Sequence, residues 1–197
     1  MALDSQRSSH SSFRAPDVLT QAALAGAFRR TLVLGGARSG KSRYAESLIT
    51  ALPSPWIYLA TAEARDAEMA ERIARHRAER GERWETIEVP HHLAQAITKA
   101  PPTNPLLVDC LTLWLSNRVL AEADIASETR ELESALDRRA GPVVLVSNEV
   151  GSGIVPDNAL ARRFRDLQGQ LNQSIAARAD RVVLLVAGLP LIVKGGA

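Results

Sequence analysis

Residues 31–42 read TLVLGGARSGKS: an aliphatic run enters a glycine pair, and Gly40-Lys41-Ser42 leads into the helix-favouring SRYAESLITAL. This stretch dictates a buried strand, a tight loop and a helix in that order. Gly35, Gly36, Ala37, Arg38, Ser39, Gly40, Lys41 and Ser42 fit the pattern G-x-x-x-x-G-K-[ST]. Glycines let successive backbone N–H groups converge on phosphate oxygens without Cβ clashes, and the following helix start adds its positive end. Lys41 is then expected to reach the β and γ phosphates, with the Ser42 hydroxyl helping to hold Mg²⁺. A bare strand–turn–helix has no use for Lys-Ser after its last glycine. A dinucleotide fingerprint would have to read G-x-A-x-x-G here, and Lys41-Ser42 favours a nucleoside triphosphate instead.

Four further aliphatic runs follow: Trp56–Ala60, Leu106–Val108, Val143–Ser147 and Val182–Val186. All are short and continuously apolar, as strands buried on both faces of a parallel sheet are. Helix-favouring stretches lie between them, notably ARDAEMAERIARHRAER, LTLWLSNRVLAEA, SETRELESALDRRA and NALARRFRDLQGQLNQSIAARA. The alternation predicts an α/β fold, a mostly parallel sheet flanked by helices. Prolines at 53, 55, 101, 102, 105 and 142 punctuate the strand starts. The terminal LPLIVKGGA reads as a short edge strand or hairpin arm. With 197 residues the chain reads as one domain, 29–197, behind a Ser-rich flexible extension, 1–28, in which residues 18–28 suggest a short helix.

Composition narrows the function classes. Twenty-four basic and 22 acidic residues leave a net charge of +2, which supplies no field for nucleic acid or membrane. Aromatics at 4% argue against the stacking surface a nucleic-acid motor needs. The single cysteine, Cys110, precludes a thiol-clustered metal site and fits a reducing, cytoplasmic compartment. The N-terminus has no apolar core of the kind a secretory signal needs, and no run approaches the ~20 apolar residues of a membrane span.

Two carboxylates end apolar runs. Asp109 closes LLVD and suits a Mg²⁺ or ribose contact, with helix capping as the plainer role. Glu149, after VVLVSN, competes for the metal or general-base role. Residues 63–83 carry six acids and six arginines around a thin apolar stripe. Such a run reads first as a solvated helix, and His76 within it as a surface histidine. Yet Arg72, His76 and Arg80 fall at i, i+4 and i+8 on one face. Neighbouring cations keep an imidazole neutral and nucleophilic, and they steady a phosphate under attack. His91 and His92, after Pro90, read as helix-start or solvent residues.

Taken together, LVLGGARSGKSRYAE, YLATAEARDAEMAERIARHR, Trp84–Glu88 (W-x-T-x-E), LLVDCLTLWLSN, VVLVSNEVGSGIVPDN, LARRFRDLQGQLNQSIAARAD and VVLLVAGLPLIVKG resemble one family, in order from about residue 31 to 195. It is the bifunctional adenosylcobinamide kinase/adenosylcobinamide-phosphate guanylyltransferase family of cobalamin biosynthesis. The resemblance implies a RecA-like P-loop fold, ATP and GTP as substrates, and a corrinoid partner. It implies phosphorylation of the aminopropanol hydroxyl, then transfer of GMP from GTP through a guanylyl-histidine. That histidine falls on His76 in RIARH, so the resemblance overrides the surface reading. The family's nucleotide contacts fall on Gly35–Ser42, on Ala60, Thr61 and Ala62, on Arg77, Ala78, Glu79 and Arg80, and on Glu88 and Asp109. Some relatives carry Glu in place of Asp109 or a second histidine before the nucleophile, where this chain has Arg75. A homotrimer is implied in the same way. The alternative is a P-loop small-molecule kinase without the nucleotidyl step.

Overall fold

The computed structural model describes residues 28–64, 71 and 81–196. The readings of the extension to residue 27 and of Arg72, Arg75, His76, Arg77, Ala78, Glu79 and Arg80 fall outside the described residues. Seven strands and five helices are described. They are β1 (Arg30–Gly35), α1 (Lys41–Thr50), β2 (Trp56–Ala60), β3 (Trp84–Glu88), α2 (Leu93–Lys99), β4 (Leu106–Asp109), α3 (Leu111–Leu120), α4 (Ile125–Arg138), β5 (Val143–Asn148), α5 (Ala159–Arg178), β6 (Arg181–Val186) and β7 (Leu189–Lys194).

They form one sheet in the order β3-β2-β4-β5-β1-β6-β7, parallel throughout except for the antiparallel β6–β7 pair. The predicted strands lie where the apolar runs placed them, and the terminal segment is a hairpin arm. Its two-residue turn, Ala187-Gly188, has φ of 51° and 81°, the doubly positive pattern of a type I′ hairpin. One element was not anticipated. Strand β3, WETIE, is half exposed at the sheet edge, where charged residues discourage further pairing. The helix start read after Pro90 opens α2, which is only seven residues long.

The sheet separates two cores. On one face α1 packs Ala45, Leu48 and Ile49 against Val33, Tyr58, Leu107, Val146 and Val183. On the other, α2–α5 contribute Leu93, Trp114, Leu115, Leu132, Leu171 and Ile175 against Leu32, Leu59, Val108 and Leu145. Because β1–β6 run parallel, Gly35, Ala60, Glu88, Asp109 and Asn148 all end on one edge of the sheet. That edge is where open α/β sheets take their ligands.

Candidate functional site

The loop after β1 is built as its sequence requires. A Cβ on Gly35 would lie 2.4 Å from Ser39 Oγ and 2.9 Å from the Leu185 carbonyl, so the loop closes only on glycine. Gly40, the helix N-cap, has φ 91°, and no side chain caps the first turn of α1. Its leading N–H groups therefore face the loop without a carboxylate or hydroxyl competing for them. Lys41 Nζ donates to the Gly36 carbonyl at 3.1 Å and so folds over the loop. The β6–β7 turn braces it from the side: Gly188 N–H donates to the Ser39 carbonyl at 3.0 Å. Ser39 Oγ is buried with no partner.

Asp109 stands two strands from β1, beyond β5. The N-cap of α3 is Cys110, not Asp109, so the capping role is excluded. The Asp109 carboxylate accepts from the Tyr58 hydroxyl at 3.0 Å. The peptide joining Asp109 to Cys110 is cis. Burial pushes the Cys110 thiol up to about 11, Asp109 adds to that rise, and Lys41 opposes it. The thiol therefore stays protonated at neutral pH. Ser42 is half-buried on the first turn of α1.

Glu149 follows β5 and is tied to the phosphate loop through its backbone, whose N–H donates to the Gly35 carbonyl at 3.1 Å. Its Oε1 accepts from Gly151 N–H at 2.6 Å. Lys41, Ser42, Asp109 and Glu149 are therefore brought to one stretch of the sheet edge.

The segment after β2 divides. Ala60 is buried and Ala62 half-buried. Thr61 is fully buried, and its hydroxyl both donates to the Cys110 carbonyl and accepts from Cys110 N–H, each at 2.7 Å. Its carbonyl accepts from Asn117 Nδ2 at 2.9 Å. Thr61 is a strut between β2 and the start of α3. Glu88 is exposed four strands from β1, roughly 19 Å along the edge. His92 is the N-cap of α2 by position, without a side-chain bond to the helix. His91 Nε2 lies 3.8 Å from Glu63. Its Nδ1 lies 3.4 Å from Arg118.

Sequence reasoning missed a buried polar cluster behind β5: Ser147, Gln168 and Asn172, joined by Thr112. The signal was present. Gln168, Leu171, Asn172 and Ile175 share the i, i+3, i+4, i+7 stripe that buries α5, so two amides occupy core positions.

Among the described residues no three His, Cys, Asp or Glu side chains gather as a metal cage. No helix among them is long and apolar enough to cross a membrane.

The chain is similar to known proteins over most of its length. The family model described as cobinamide kinase / cobinamide phosphate guanyltransferase matches residues 31–193. The bifunctional adenosylcobalamin biosynthesis protein CobP of Pseudomonas aeruginosa is 48% identical over 169 residues, covering 84% of this chain and 98% of that protein. The corresponding CobU of Salmonella typhimurium is 43% identical over 179 residues, covering 83% and 98%. Among solved structures, the flagellar accessory protein FlaH of Methanocaldococcus jannaschii superposes with a TM-score of 0.50 at 11% identity, over 86% of this chain and 81% of that one. An ATPase of a bacterial type III secretion system does so with a TM-score of 0.50 at 14% identity, over 84% and 54%. At such identities these two likenesses concern the fold alone, a RecA-like P-loop sheet.

Proposed function

The chain belongs to the cobinamide kinase / cobinamide phosphate guanyltransferase family, and from that premise we propose how its cleft divides the two reactions. It is a bifunctional enzyme of adenosylcobalamin biosynthesis. In the first reaction the aminopropanol hydroxyl of adenosylcobinamide attacks the γ-phosphorus of ATP or GTP. The bond to the bridging oxygen breaks and nucleoside diphosphate leaves. In the second, an imidazole nitrogen of His76 attacks the α-phosphorus of GTP and expels pyrophosphate. A phosphate oxygen of adenosylcobinamide phosphate then displaces His76, giving adenosyl-GDP-cobinamide.

The observation that carries this reading is the convergence of the glycine loop, Lys41, Asp109 and Glu149 on one sheet edge. The loop N–H groups and Lys41 bind the phosphates and oppose the charge that develops on the departing oxygen. Ser42 and Asp109 would hold Mg²⁺. Their hard oxygens suit an ion that keeps most of its shell for phosphate and water, which also accounts for the lack of a protein cage among the described residues. That ion supplies charge neutralisation at the phosphate oxygens. Glu149, on the open side of the loop, orients the corrinoid hydroxyl and accepts its proton, with Asp109 as the competing carboxylate. Ala60, Ala62 and Glu88 line the edge away from the phosphates and face the nucleoside. Arg77, Ala78, Glu79 and Arg80 complete the nucleotide contacts beside His76. The corrinoid is the partner in both steps.

We further infer a cytoplasmic homo-oligomer, a trimer by family resemblance. The exposed aliphatic row Val186, Leu189, Leu191 and Val193 along the hairpin supports a covered face.

The test is mass spectrometry after incubation with GTP. One GMP is expected on His76 as an acid-labile adduct, absent from His76→Ala. Persistence of the adduct in that variant would refute the assignment. Phosphoryl transfer to adenosylcobinamide without any adduct would leave the plain kinase.

A further inference from the structure

Strand β5 outlasts its neighbour. The β4–β5 pairing ends at Asp109 opposite Val146, whereas β5 pairs with β1 as far as Asn148 opposite Gly35. In a parallel ladder the N–H and C=O of one residue point to the same side, and successive residues point to opposite sides. Glu149 N–H points to β1, where it meets the Gly35 carbonyl. The peptide groups of Asn148 therefore point towards β4, which has already turned into α3. Side chains take the place of that missing strand. Asn148 N–H donates to Thr112 Oγ1 at 2.8 Å, and the Asn148 carbonyl accepts from Asn172 Nδ2 at 3.0 Å. Asn172 is itself held. Its Oδ1 accepts from Ser147 Oγ at 2.7 Å and from Gln168 Nε2 at 3.0 Å, and Gln168 Nε2 also reaches Ser147 Oγ at 3.0 Å. Gln168 and Ser147 are fully buried, and Asn172 and Thr112 nearly so.

Such an arrangement is costly if it serves packing alone. Three polar side chains occupy positions beneath β5 that leucine or valine would fill, and the amide oxygens of Gln168 and Asn148 remain buried without a partner. What the arrangement achieves is geometric. It keeps β5 extended past β4, so that Asn148 and Glu149 stand beside Gly35 at the root of the phosphate loop. Val144 and Val146 belong to the core beneath α1, and alternation puts Asn148 on that same face.

We propose that Thr112, Asn172 and Gln168 are positioning residues of the phosphoryl-transfer site, side-chain substitutes for a missing strand that hold Asn148–Glu149 in register with the phosphate loop. The inference rests on the kinase half of the function proposed above. The α-phosphate reaction draws its nucleophile from His76 and not from Glu149, so the two reactions respond differently.

The deciding pair is Thr112→Val, which keeps the shape and removes the acceptor for Asn148 N–H, and Thr112→Ser, which retains it. Full-length protein is assayed for phosphoryl transfer from ATP to adenosylcobinamide and, separately, for GMP attachment to His76. In Thr112→Val, kcat for phosphoryl transfer is expected to fall on the order of 10- to 100-fold. KM for ATP is expected to stay within about twofold of the parent. Guanylylation should proceed at the parental rate, and Thr112→Ser should restore kcat. Asn172→Ala should behave as Thr112→Val does; if it does not fold, the Thr112 pair decides. An unchanged kcat, equal losses in both reactions, or a loss confined to KM overturns the inference while leaving the function intact. A parent protein that transfers no phosphoryl group overturns the kinase reading, and the inference with it.

Discussion

Gly35 and Lys41 show how differently two residues of one loop act. At Gly35 the constraint is space. An added Cβ would meet Ser39 Oγ at 2.4 Å and the Leu185 carbonyl at 2.9 Å. Gly35→Ala should therefore cost about 1–3 kcal/mol of stability and distort the loop. Thermal melting and nucleotide titration should fall together. At Gly36 a Cβ meets nothing within 4 Å, so packing does not explain that glycine. Lys41 makes one exposed bond to its own loop. Lys41→Ala should leave the melting temperature unchanged and weaken nucleotide binding roughly 10- to 100-fold, the value of a charge-assisted hydrogen bond. Calorimetric titration beside a melt separates the two effects. Both residues were legible in GGARSGKS, because local backbone rules and phosphate chemistry act over eight consecutive residues. Thr61 was not legible in that way. The family pattern placed it among nucleotide contacts, yet its polar atoms bind Cys110, Asp109 and Asn117 across a fold that no local pattern describes.

Elements were legible in proportion to their burial. The continuously apolar runs became β1, β2, β4, β5 and β6, since a strand covered on both faces can carry little but aliphatics. Strand β3 escaped because an edge strand tolerates Glu85 and Glu88, which erases the apolar signal. Helix α3 shows what an element contributes beyond its own packing. Trp114 is 2% exposed, and its Nε1–H donates to the His91 carbonyl at 2.8 Å, which pins the turn before α2. Arg118, one turn further, clamps Glu128 through two nitrogens and ties α3 to α4. Trp114→Phe keeps most of the apolar bulk but strips the His91 carbonyl of that donor. It should cost about 1–3 kcal/mol in denaturant unfolding, with amide exchange at the start of α2 accelerating more than in α1.

At the scale of the molecule, an ionic seam joins α4, α5, β1 and the residue before β6 on the edge opposite the site. Arg178 pairs with Glu133 and Asp137, and Arg30 pairs with Asp137 and Asp180. The Ser174 hydroxyl, with Arg178 beside it, holds the Glu133 carboxyl below its usual range against the opposing pull of burial. Burial pulls Asp180 up, but the backbone N–H and guanidinium of Arg30 together outweigh it and hold that carboxyl low as well. A carboxyl depressed in the folded state binds its proton more readily when unfolded. The seam's stabilisation is thus complete above the ordinary carboxylate range and is lost as pH falls through the depressed values. Melting temperature should be flat near neutrality and drop on acidification. In Ser174→Ala that drop should be shallower and finish at higher pH, because the Glu133 carboxyl loses its strongest support and its folded value moves back towards the unfolded one. A superimposable pH profile in the variant would contradict this account.

The sequence by itself determined the phosphate loop, the buried strands and the family, because each is written in consecutive residues whose chemistry does not depend on distant partners. Tertiary structure decided which carboxylates meet that loop. Asp109 and Glu149 lie 40 residues apart in the chain and come together through a strand order, β4-β5-β1, that no local signal encodes. It also decided that Asn172 and Thr112 complete a strand. A side chain can replace a missing neighbour only after the sheet has set where that neighbour ends.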